Sequence, residues 1–222
     1  RRAVAIGLRN PYRFAFRPNP ANPGHLLNDI WVADVGWTKW EEIDRIPSPL
    51  SSVPNFGWPC YEGASPHQGY LSLGLTICSN LYASGAAVAP VFSYEHDKVV
   101  SASDTCLSPP GGGNTPFGNG GGSITGVNFY QGTSYPAKYH GALFFADYSR
   151  SCIWAMLPDA NGVPDPTKVE TFETGAHTPV SIEAGPDGDL FYADIAGGAI
   201  RRISASAVAV AEATTPVYGP AP

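Results

Sequence analysis

The stretches "ALFFADYSRSCIWAM" (Ala142–Met156) and "DLFYADIAGGAIRRI" (Asp189–Ile203) follow one pattern, and this pattern decides the fold. Each begins with a short apolar run, continues with Ala-Asp and a turn, and ends in a second alternating run. A third copy, "IWVADVGWTKWEEIDRI", spans Ile30–Ile46. Alternating runs on either side of a turn predict antiparallel strand pairs. The chain therefore contains an internal repeat of β-hairpins.

The spacing of the repeat indicates its architecture. Asp147 and Asp194 lie 47 residues apart, within the period of propeller blades, which is about 40–50 residues. Asp34 and Asp147 lie 113 residues apart, which leaves room for two units and a cysteine-bearing insertion. Small antiparallel sheets packed face to face bury surfaces that none of them buries alone. We predict an all-β chain that forms a β-propeller of about three to four blades.

Glycine and proline are too frequent for long helices. The 222 residues include 25 Gly and 22 Pro, which interrupt helices. The best helical candidate, Ala205–Ala213, runs into an Ala/Pro-rich end, so we assign residues 1–203 to the propeller and 204–222 to a linker or tail. Ser108–Ser123 is glycine-rich but lacks the Gly-Lys-Ser/Thr of a phosphate-binding loop, and it is predicted to be a low-complexity loop.

Charge and hydropathy exclude two classes of partner. The net charge of −6 offers no basic surface for nucleic acid. No apolar run approaches the roughly 18 residues of a membrane span. The sequence begins at Arg1 without a charged and apolar leader, so we expect any signal peptide to lie upstream or to have been removed.

The four cysteines indicate an oxidising compartment. They are even in number and widely spaced, with no Cys-x-x-Cys pair for zinc or thiol exchange. We therefore expect disulfides and a secreted protein, extracellular or periplasmic. Pairing of Cys60 with Cys78 and of Cys106 with Cys152 is favoured, although sequence alone does not fix the connectivity.

The repeat aspartates have two possible roles. Asp34, Asp147 and Asp194 each follow an apolar strand, where a carboxylate usually accepts hydrogen bonds from turn amides. Strand ends of a propeller also face the central channel, so one or two of these groups are candidates for contact with a ligand or ion. Asp187, in "GPDGDL", is better explained by a Pro-Asp-Gly hairpin turn than by calcium binding.

Other polar residues carry weaker signals. Glu41 and Glu42 are adjacent in a strand and point to opposite faces, so at most one is expected to face inward, and a glycosidase pair is excluded. His96 ends the aromatic-rich "FSYEH" and is equally compatible with a pocket and with the surface. No second histidine lies at metal-ligand spacing, and no Gly-x-Ser-x-Gly motif is present.

Four ordered motifs carry a resemblance to a known family. They are "GLRNPYRFAFRP" (Gly7–Pro18), "WVADVGWTKWEEIDRI", "NFGWPCYEG" (Asn55–Gly63) and "EAGPDGDLFYADIAGGAIRRI". Together they resemble the glucose/sorbosone dehydrogenase family of six-bladed propellers, which includes soluble quinoprotein aldose dehydrogenases that use pyrroloquinoline quinone (PQQ) and calcium. The resemblance extends to about Ile203 and implies the C-terminal part of such a propeller.

The resemblance implies roles for several residues. Arg9 would lie near the quinone carbonyls and the sugar, where a guanidinium stabilises growing negative charge, and Asn10 would lie against the ring system. The main-chain carbonyls of Gly36 and Trp37 would hold Ca²⁺, a Lewis acid toward the quinone. Trp37 and His96 are predicted to contact substrate.

The chain also departs from the family pattern. The catalytic base of the family is a histidine expected upstream of this sequence. At the positions of the family's lysine and two arginines, which bind the cofactor carboxylates, the chain has Ser149, Thr178 and Val180. Arg150 is the nearest replacement, and with Asp194 it completes the predicted cofactor-binding set.

Two functions follow as expectations. The first is PQQ- and calcium-dependent oxidation of a sugar or aldehyde, with this chain a partial, inactive portion of a larger protein that has possible additional modules. The second is a non-catalytic secreted propeller that binds a glycan or a protein, similar to the cysteine-bearing branch that contains the hedgehog-interacting protein propeller. Its exposed aromatic residues would be the anchors, namely Trp37, Trp40, Tyr61 and Tyr70.

Overall fold

The structure is a computed structural model that describes residues 2–22, 24–106 and 121–205. Its strands are β1 (Pro11–Pro18), β2 (Leu26–Asp34), β3 (Trp40–Ile46), β4 (Tyr61–Glu62), β5 (Ser65–Pro66), β6 (Phe92–Glu95), β7 (Ile124–Phe129), β8 (Leu143–Asp147), β9 (Cys152–Pro158), β10 (Pro164–Thr174), β11 (Pro179–Ala184), β12 (Leu190–Asp194) and β13 (Ala199–Ile203). Two helices, α1 (Gln68–Leu71) and α2 (Thr76–Ser84), and a 3₁₀ turn (Ala137–Tyr139) complete the described elements.

The strands form three consecutive antiparallel blades. Blade I has the order β1-β2-β3-β6, blade II the order β10-β9-β8-β7, and blade III the order β11-β12-β13. The predicted all-β propeller architecture is confirmed, with three blades among the described residues. Asp34 and Asp147 belong to successive blades, because β6 of blade I comes only after a long insertion. The separation of the first two repeats therefore reflects this insertion and the following loop rather than an additional blade.

The insertion between β3 and β6 contains the hairpin β4–β5 and both helices. The sequence analysis missed these helices. In α2 only Cys78 is buried, so the helix has no apolar stripe to reveal it. It ends at Gly85, whose φ of 61° is the left-handed conformation of a glycine cap. Most of the predicted glycine-rich loop and of the 204–222 tail lies outside the described residues.

Both favoured disulfides are present. Cys60–Cys78 ties α2 to the segment that precedes β4. Cys106–Cys152 joins the segment after β6 to β9, and so links blade I to blade II. Each bridge closes a loop, which removes conformational entropy from the unfolded chain.

The blades pack through alternating faces of their strands. In β8, Phe145 stacks on Trp154 of its own blade and faces blade I, where it meets Tyr94. The neighbouring Phe144 lies in the core that blades II and III share. Since a blade is covered on both faces, Glu41 and Glu42 of β3 are both buried, and the expectation that at most one faces inward was wrong.

The repeat aspartates hold equivalent positions. Each ends the second strand of its blade and pairs with the first residue of the inner strand, in the pairs Pro11↔Asp34, Ile124↔Asp147 and Pro179↔Asp194. Each carboxylate accepts the amide of the residue before that strand, at 2.6 Å for Asn10 N to Asp34 Oδ1, 2.9 Å for Ser123 N to Asp147 Oδ2 and 3.3 Å for Thr178 N to Asp194 Oδ1. We call this arrangement the aspartate clamp.

A backbone hydrogen bond closes each clamp. The amide that follows the aspartate donates to the carbonyl of the clamped residue, at 3.1 Å from Val35 to Asn10, 2.9 Å from Tyr148 to Ser123 and 3.1 Å from Ile195 to Thr178. The structural role predicted for these aspartates is therefore confirmed in all three blades.

The expected hairpin turn at Asp187 is also confirmed. Gly188 has a φ of 86°, and the amide of Gly185 donates to the carbonyl of Asp189 across the turn between β11 and β12. Within the ranges described, no helix has the length and apolar character that crossing a membrane demands.

The clamp of blade II generates a stability prediction. The Asp147 carboxylate accepts hydrogen bonds from Ser123, Ser149 and Arg150 amides and from the hydroxyl of Tyr94. We expect Asp147→Ala to lower the free energy of unfolding by about 3 kcal/mol or more, because several buried donors lose a charged acceptor. Denaturant unfolding measures this change.

The matched control is Asp97→Ala, since the Asp97 side chain is 68% exposed. It should shift the unfolding free energy by no more than about 0.5 kcal/mol. Equal losses in the two variants would contradict the importance of the clamp.

Candidate active site

The loop between β2 and β3 is folded around one buried carboxylate, that of Glu62. Its Oε1 accepts hydrogen bonds from four successive amides, at 2.8 Å from Trp37, 2.7 Å from Thr38, 3.0 Å from Lys39 and 3.3 Å from Trp40. Its Oε2 accepts the Thr38 hydroxyl at 2.6 Å. Because all four amides donate to the same oxygen, a residue that is not part of the loop fixes the conformation of the loop.

This carboxylate is ionised at neutral pH. Burial opposes the ionisation of Glu62, but the hydrogen bonds from the Thr38 hydroxyl and from the loop amides outweigh it and lower its pKa to about 2. Glu62 lies in the insertion, so a negative charge of the insertion organises a loop of the blade.

Gly36 begins this loop and has no space for a side chain. A Cβ there would lie 1.4 Å from the Trp40 carbonyl oxygen. The Gly36 amide donates to Glu41 Oε2 at 3.3 Å. Within the described part of the chain, neither the Gly36 nor the Trp37 carbonyl oxygen accepts a hydrogen bond. The assignment of these two oxygens to calcium stays a prediction.

The aspartate clamp of blade I brings Arg9 and Asn10 to the same loop. Asp34 accepts both of their amides, at 2.8 and 2.6 Å. Arg9 Nη1 donates to the Val35 carbonyl at 2.8 Å, and the guanidinium lies 5.6 Å from the centre of the Trp58 ring. The Asn10 residue is exposed. Arg9, Asn10 and the loop that contains Gly36 and Trp37 thus lie together, as their assignment to one site requires.

An aromatic cluster continues the site into the insertion. The Trp37 and His67 rings stack with centroids 5.4 Å apart and planes 6° apart, and Trp58 and Tyr70 pack against both rings at 5.3–5.9 Å. The cluster borders a cleft of about 650 Å³ between the β2–β3 loop and the insertion. Of these residues, Trp37 was predicted to contact substrate, and Tyr70 was named with it as an anchor in the alternative glycan- or protein-binding function. Trp58 is part of the motif "NFGWPCYEG", but the sequence analysis assigned it no role.

His96 lies on the other side of the same loop. Its Nε2 is 2.8 Å from Glu41 Oε1, and Glu41 Oε2 accepts the amide of Ile124 at 2.9 Å. Because Glu41 also accepts the Gly36 amide, a single side chain separates His96 from the loop. The His96 side chain is 15% exposed, so it belongs to a partly covered position rather than to the open surface.

The predicted contacts on blades II and III are already engaged. Arg150 Nη1 donates to the Lys98 carbonyl at 2.7 Å, Nη2 donates to the Glu95 carbonyl, and Nε is buried with no partner among the described residues. Asp194 accepts the Thr178 hydroxyl at 2.6 Å and Arg201 Nε at 2.8 Å. A cofactor carboxylate near Arg150 would have to displace one of these bonds. The assignment of both residues to cofactor binding stays a prediction.

A cluster of three buried acids lies on the other face of blade I. Carboxylate oxygens of Asp34, Glu42 and Asp44 come within 4.8 Å of one another. Neither oxygen of Asp44 has a partner among the described residues, and burial raises its pKa well above the usual range. Burial raises the pKa of Glu42 to about 7. The hydrogen bond from the Gly63 amide lowers this pKa, and the nearby carboxylates raise it further. Such a cluster is stabilised by protons or by a shared cation. Period-two alternation puts Glu42 and Asp44 on one face of β3, but the sequence analysis did not identify this cluster.

Comparison with solved structures relates this arrangement to known proteins. The PQQ-bound aldose sugar dehydrogenase of Streptomyces coelicolor matches 89% of the chain at 15% identity, with a TM-score of 0.51. The calcium structure of a Trichoderma reesei carbohydrate-active enzyme of family AA12 matches 89% of the chain at 15% identity, with a TM-score of 0.52. A glucose dehydrogenase matches 85% of the chain at 20% identity, with a TM-score of 0.51. No family model matches the sequence.

The chain has the fold of the soluble sugar dehydrogenases. It covers 43%, 52% and 42% of these three structures, so it spans about half of their length or less. The resemblance to the glucose/sorbosone dehydrogenase propellers is confirmed, and a partial propeller fits this coverage. At 15–20% identity the likeness establishes the fold alone.

The loop carboxylate generates a prediction on acid stability. Because the pKa of Glu62 is lowered in the folded state, its ionised form stabilises the fold above the unfolded pKa of about 4.5. This stability is lost as the pH falls from 4.5 toward 2. We expect Glu62→Gln to destabilise the protein at pH 7 by roughly 1–3 kcal/mol and to flatten its acid transition. Thermal unfolding between pH 2 and 7 tests both effects, and an unchanged acid transition would contradict them.

Glu42 should behave in the opposite sense. Because folding raises the pKa of Glu42, its carboxyl group ionises at a lower pH in the unfolded chain than in the folded protein. The free energy of unfolding therefore declines as the pH rises from about 4.5 to about 7. We expect Glu42→Gln to remove this decline and to stabilise the protein at pH 8 by up to roughly 3 kcal/mol. The same unfolding series, run with a chelator so that no divalent cation neutralises the cluster, measures it. A destabilised Glu42→Gln protein at pH 8 would contradict this prediction, because it would mean that contacts in the folded protein stabilise the ionised Glu42 carboxylate.

Proposed function

We propose that the protein oxidises a sugar or aldehyde by hydride transfer to PQQ, with Ca²⁺, and that this chain supplies one part of the active site. The observation that carries the proposal is the blade I clamp, which holds Arg9 and Asn10 beside the loop of Gly36 and Trp37. The shared fold supports it, since one neighbour is a PQQ-bound aldose sugar dehydrogenase.

Arg9 is the electrostatic element of the proposed site. Its Nη1 is fixed on the Val35 carbonyl, while Nε and Nη2 have no hydrogen-bond partner in the described ranges. The guanidinium is therefore held in place and still has N–H groups to donate. A fixed cation of this kind stabilises negative charge that develops on an oxygen during hydride transfer. Asn10, exposed beside it, is assigned to the face of the cofactor ring system.

The loop after β2 is the proposed calcium-binding element. Its amides are committed to Glu62, whereas the carbonyl oxygens of Gly36 and Trp37 accept no hydrogen bond from any described group. Carbonyl oxygens are ligands that Ca²⁺ prefers, so the donor set fits this ion. When bound, PQQ and its calcium ion supply the hydride acceptor.

The remaining roles are divided between this chain and the rest of the full-length protein. We assign the base that accepts the hydroxyl proton to a histidine outside this sequence. His96, held by Glu41, and Trp37 are assigned to substrate, while Arg150 and Asp194 are assigned to the cofactor on blades II and III. The two disulfides support a secreted protein, either extracellular or periplasmic.

Arg9→Ala tests the proposal in the full-length protein. We expect kcat/KM for dye-linked aldose oxidation to fall by about 10²–10³-fold, because one fixed charge no longer stabilises the transition state. Turnover should require both added PQQ and added Ca²⁺. Arg13→Ala is the control, since Arg13 is exposed and its side chain, among the described residues, interacts with its neighbour Tyr12.

Two results would reject the proposal. The first is no turnover of any aldose together with no calorimetric heat on titration with PQQ. The second is equal activity of the Arg9→Ala and Arg13→Ala proteins.

A further inference from the structure

The cleft between the β2–β3 loop and the insertion has the features of a ligand site. Its volume of about 650 Å³ lies within the range of small-molecule sites, roughly 300–1,000 Å³. A single pyranose ring fills only part of such a space. Half of the lining residues are aromatic or apolar, and Thr38, Ser65 and Gln68 add neutral polar groups. The two charged lining residues are already engaged, Glu62 with the loop amides and Lys39 in an ion pair. A neutral ligand with apolar faces and many hydroxyl groups suits this combination.

Trp37 is the exposed platform of the cleft. The residue is 50% exposed, although one face of its indole is stacked on His67. A large aromatic side chain held at the surface beside other aromatic rings is suited to stacking on a ligand. The apolar face of a pyranose ring stacks on an aromatic plane of this kind.

The platform is rigid before any ligand arrives. The Trp37 amide is fixed on Glu62 at 2.8 Å, and the edge of Trp58 lies against its ring at 5.7 Å. His67, which carries the stacked ring, is buried. The insertion that supplies these partners is closed by the Cys60–Cys78 disulfide. Preorganisation reduces the entropic cost of binding, so a neutral ligand gains affinity from it.

Trp58 connects the cleft to the proposed catalytic site. Trp58 packs on Trp37 at one edge and carries the Arg9 guanidinium over its ring at 5.6 Å. A sugar unit whose reactive end lies near Arg9 would therefore have its next unit directed over Trp37.

We propose that this cleft binds the second and following sugar units of a neutral oligosaccharide, so that the substrate class is an oligosaccharide oxidised at its end rather than a free monosaccharide. This inference rests on the proposed function. It assigns the cysteine-stapled insertion to substrate selection, with Trp37 as the stacking residue and Gln68 as a polar contact at the rim.

Isothermal titration calorimetry of the full-length protein tests the inference without turnover. The probes are cellotetraose, maltotetraose and xylotetraose, with glucose and xylose as single-ring comparators. We expect at least one tetrasaccharide to bind at least tenfold more tightly than its monosaccharide. Trp37→Ala should remove about tenfold of that affinity, and Trp37→Phe, which retains a ring, should lose less.

Leu50→Ala is the matched control, because Leu50 is 74% exposed and lies outside the cleft. Its affinity should equal that of the unaltered protein. If Trp37→Ala does not fold, as judged by near-UV circular dichroism, Gln68→Ala replaces it and should weaken tetrasaccharide binding while leaving glucose binding unchanged.

The outcomes separate the two proposals. Equal affinities for tetrasaccharides and monosaccharides, or tetrasaccharide binding that the cleft variants do not weaken, would overturn the oligosaccharide cleft. A parallel titration with PQQ and Ca²⁺ reports on the proposed function, since absence of quinone binding rejects that function whatever the saccharide results.

Discussion

A carboxylate at the end of the second strand holds the chain at the entrance to the inner strand in every blade, and the rest of the structure depends on this contact. The residue just before each inner strand lies outside the strand pairing, so its amide has no acceptor on a neighbouring strand backbone. Asp34, Asp147 and Asp194 supply the missing acceptor. Since a buried amide without a partner is costly, the Ala-Asp pair fixes the start of each blade.

The same contact connects architecture to chemistry in blade I. The residues clamped there are Arg9 and Asn10, so a device that sets strand register also positions the proposed cofactor contacts. The β2–β3 loop is positioned in a different way, by Glu62. The lowered pKa of Glu62 keeps its carboxylate charged, and this carboxylate accepts the amides of the loop. Blade and insertion thus hold the loop from two sides. A site built in this way needs few residues that serve only the ligand.

The sequence predicted the blades well and the site in part, for physical reasons. Strand pairs and the clamp leave a local signature, because apolar alternation and the Ala-Asp pair lie within a few residues of each other. The favoured disulfide pairs are present, although the spacing of the cysteines did not by itself fix their connectivity. Helix α2 left no such signature, since only Cys78 is buried in it. Glu62 and His67 were missed as site residues because their role is set by the distant loop they contact. Asp44 appeared as an ordinary strand residue, because its unpartnered burial arises from packing on both faces of the blade.

The insertion leaves blade I after β3 and returns at β6, and these two strands are hydrogen-bonded neighbours, with Ile43 opposite Phe92. Its two ends therefore meet at fixed positions whatever the length of the segment between them. Substitutions, or even changes in length, within 47–91 can alter the shape of the cleft without shifting the register of any blade. The propeller can in this way acquire a new specificity through changes in one module, provided that Glu62, which holds the loop of Gly36 and Trp37, and Trp58, which lies under Arg9, are retained.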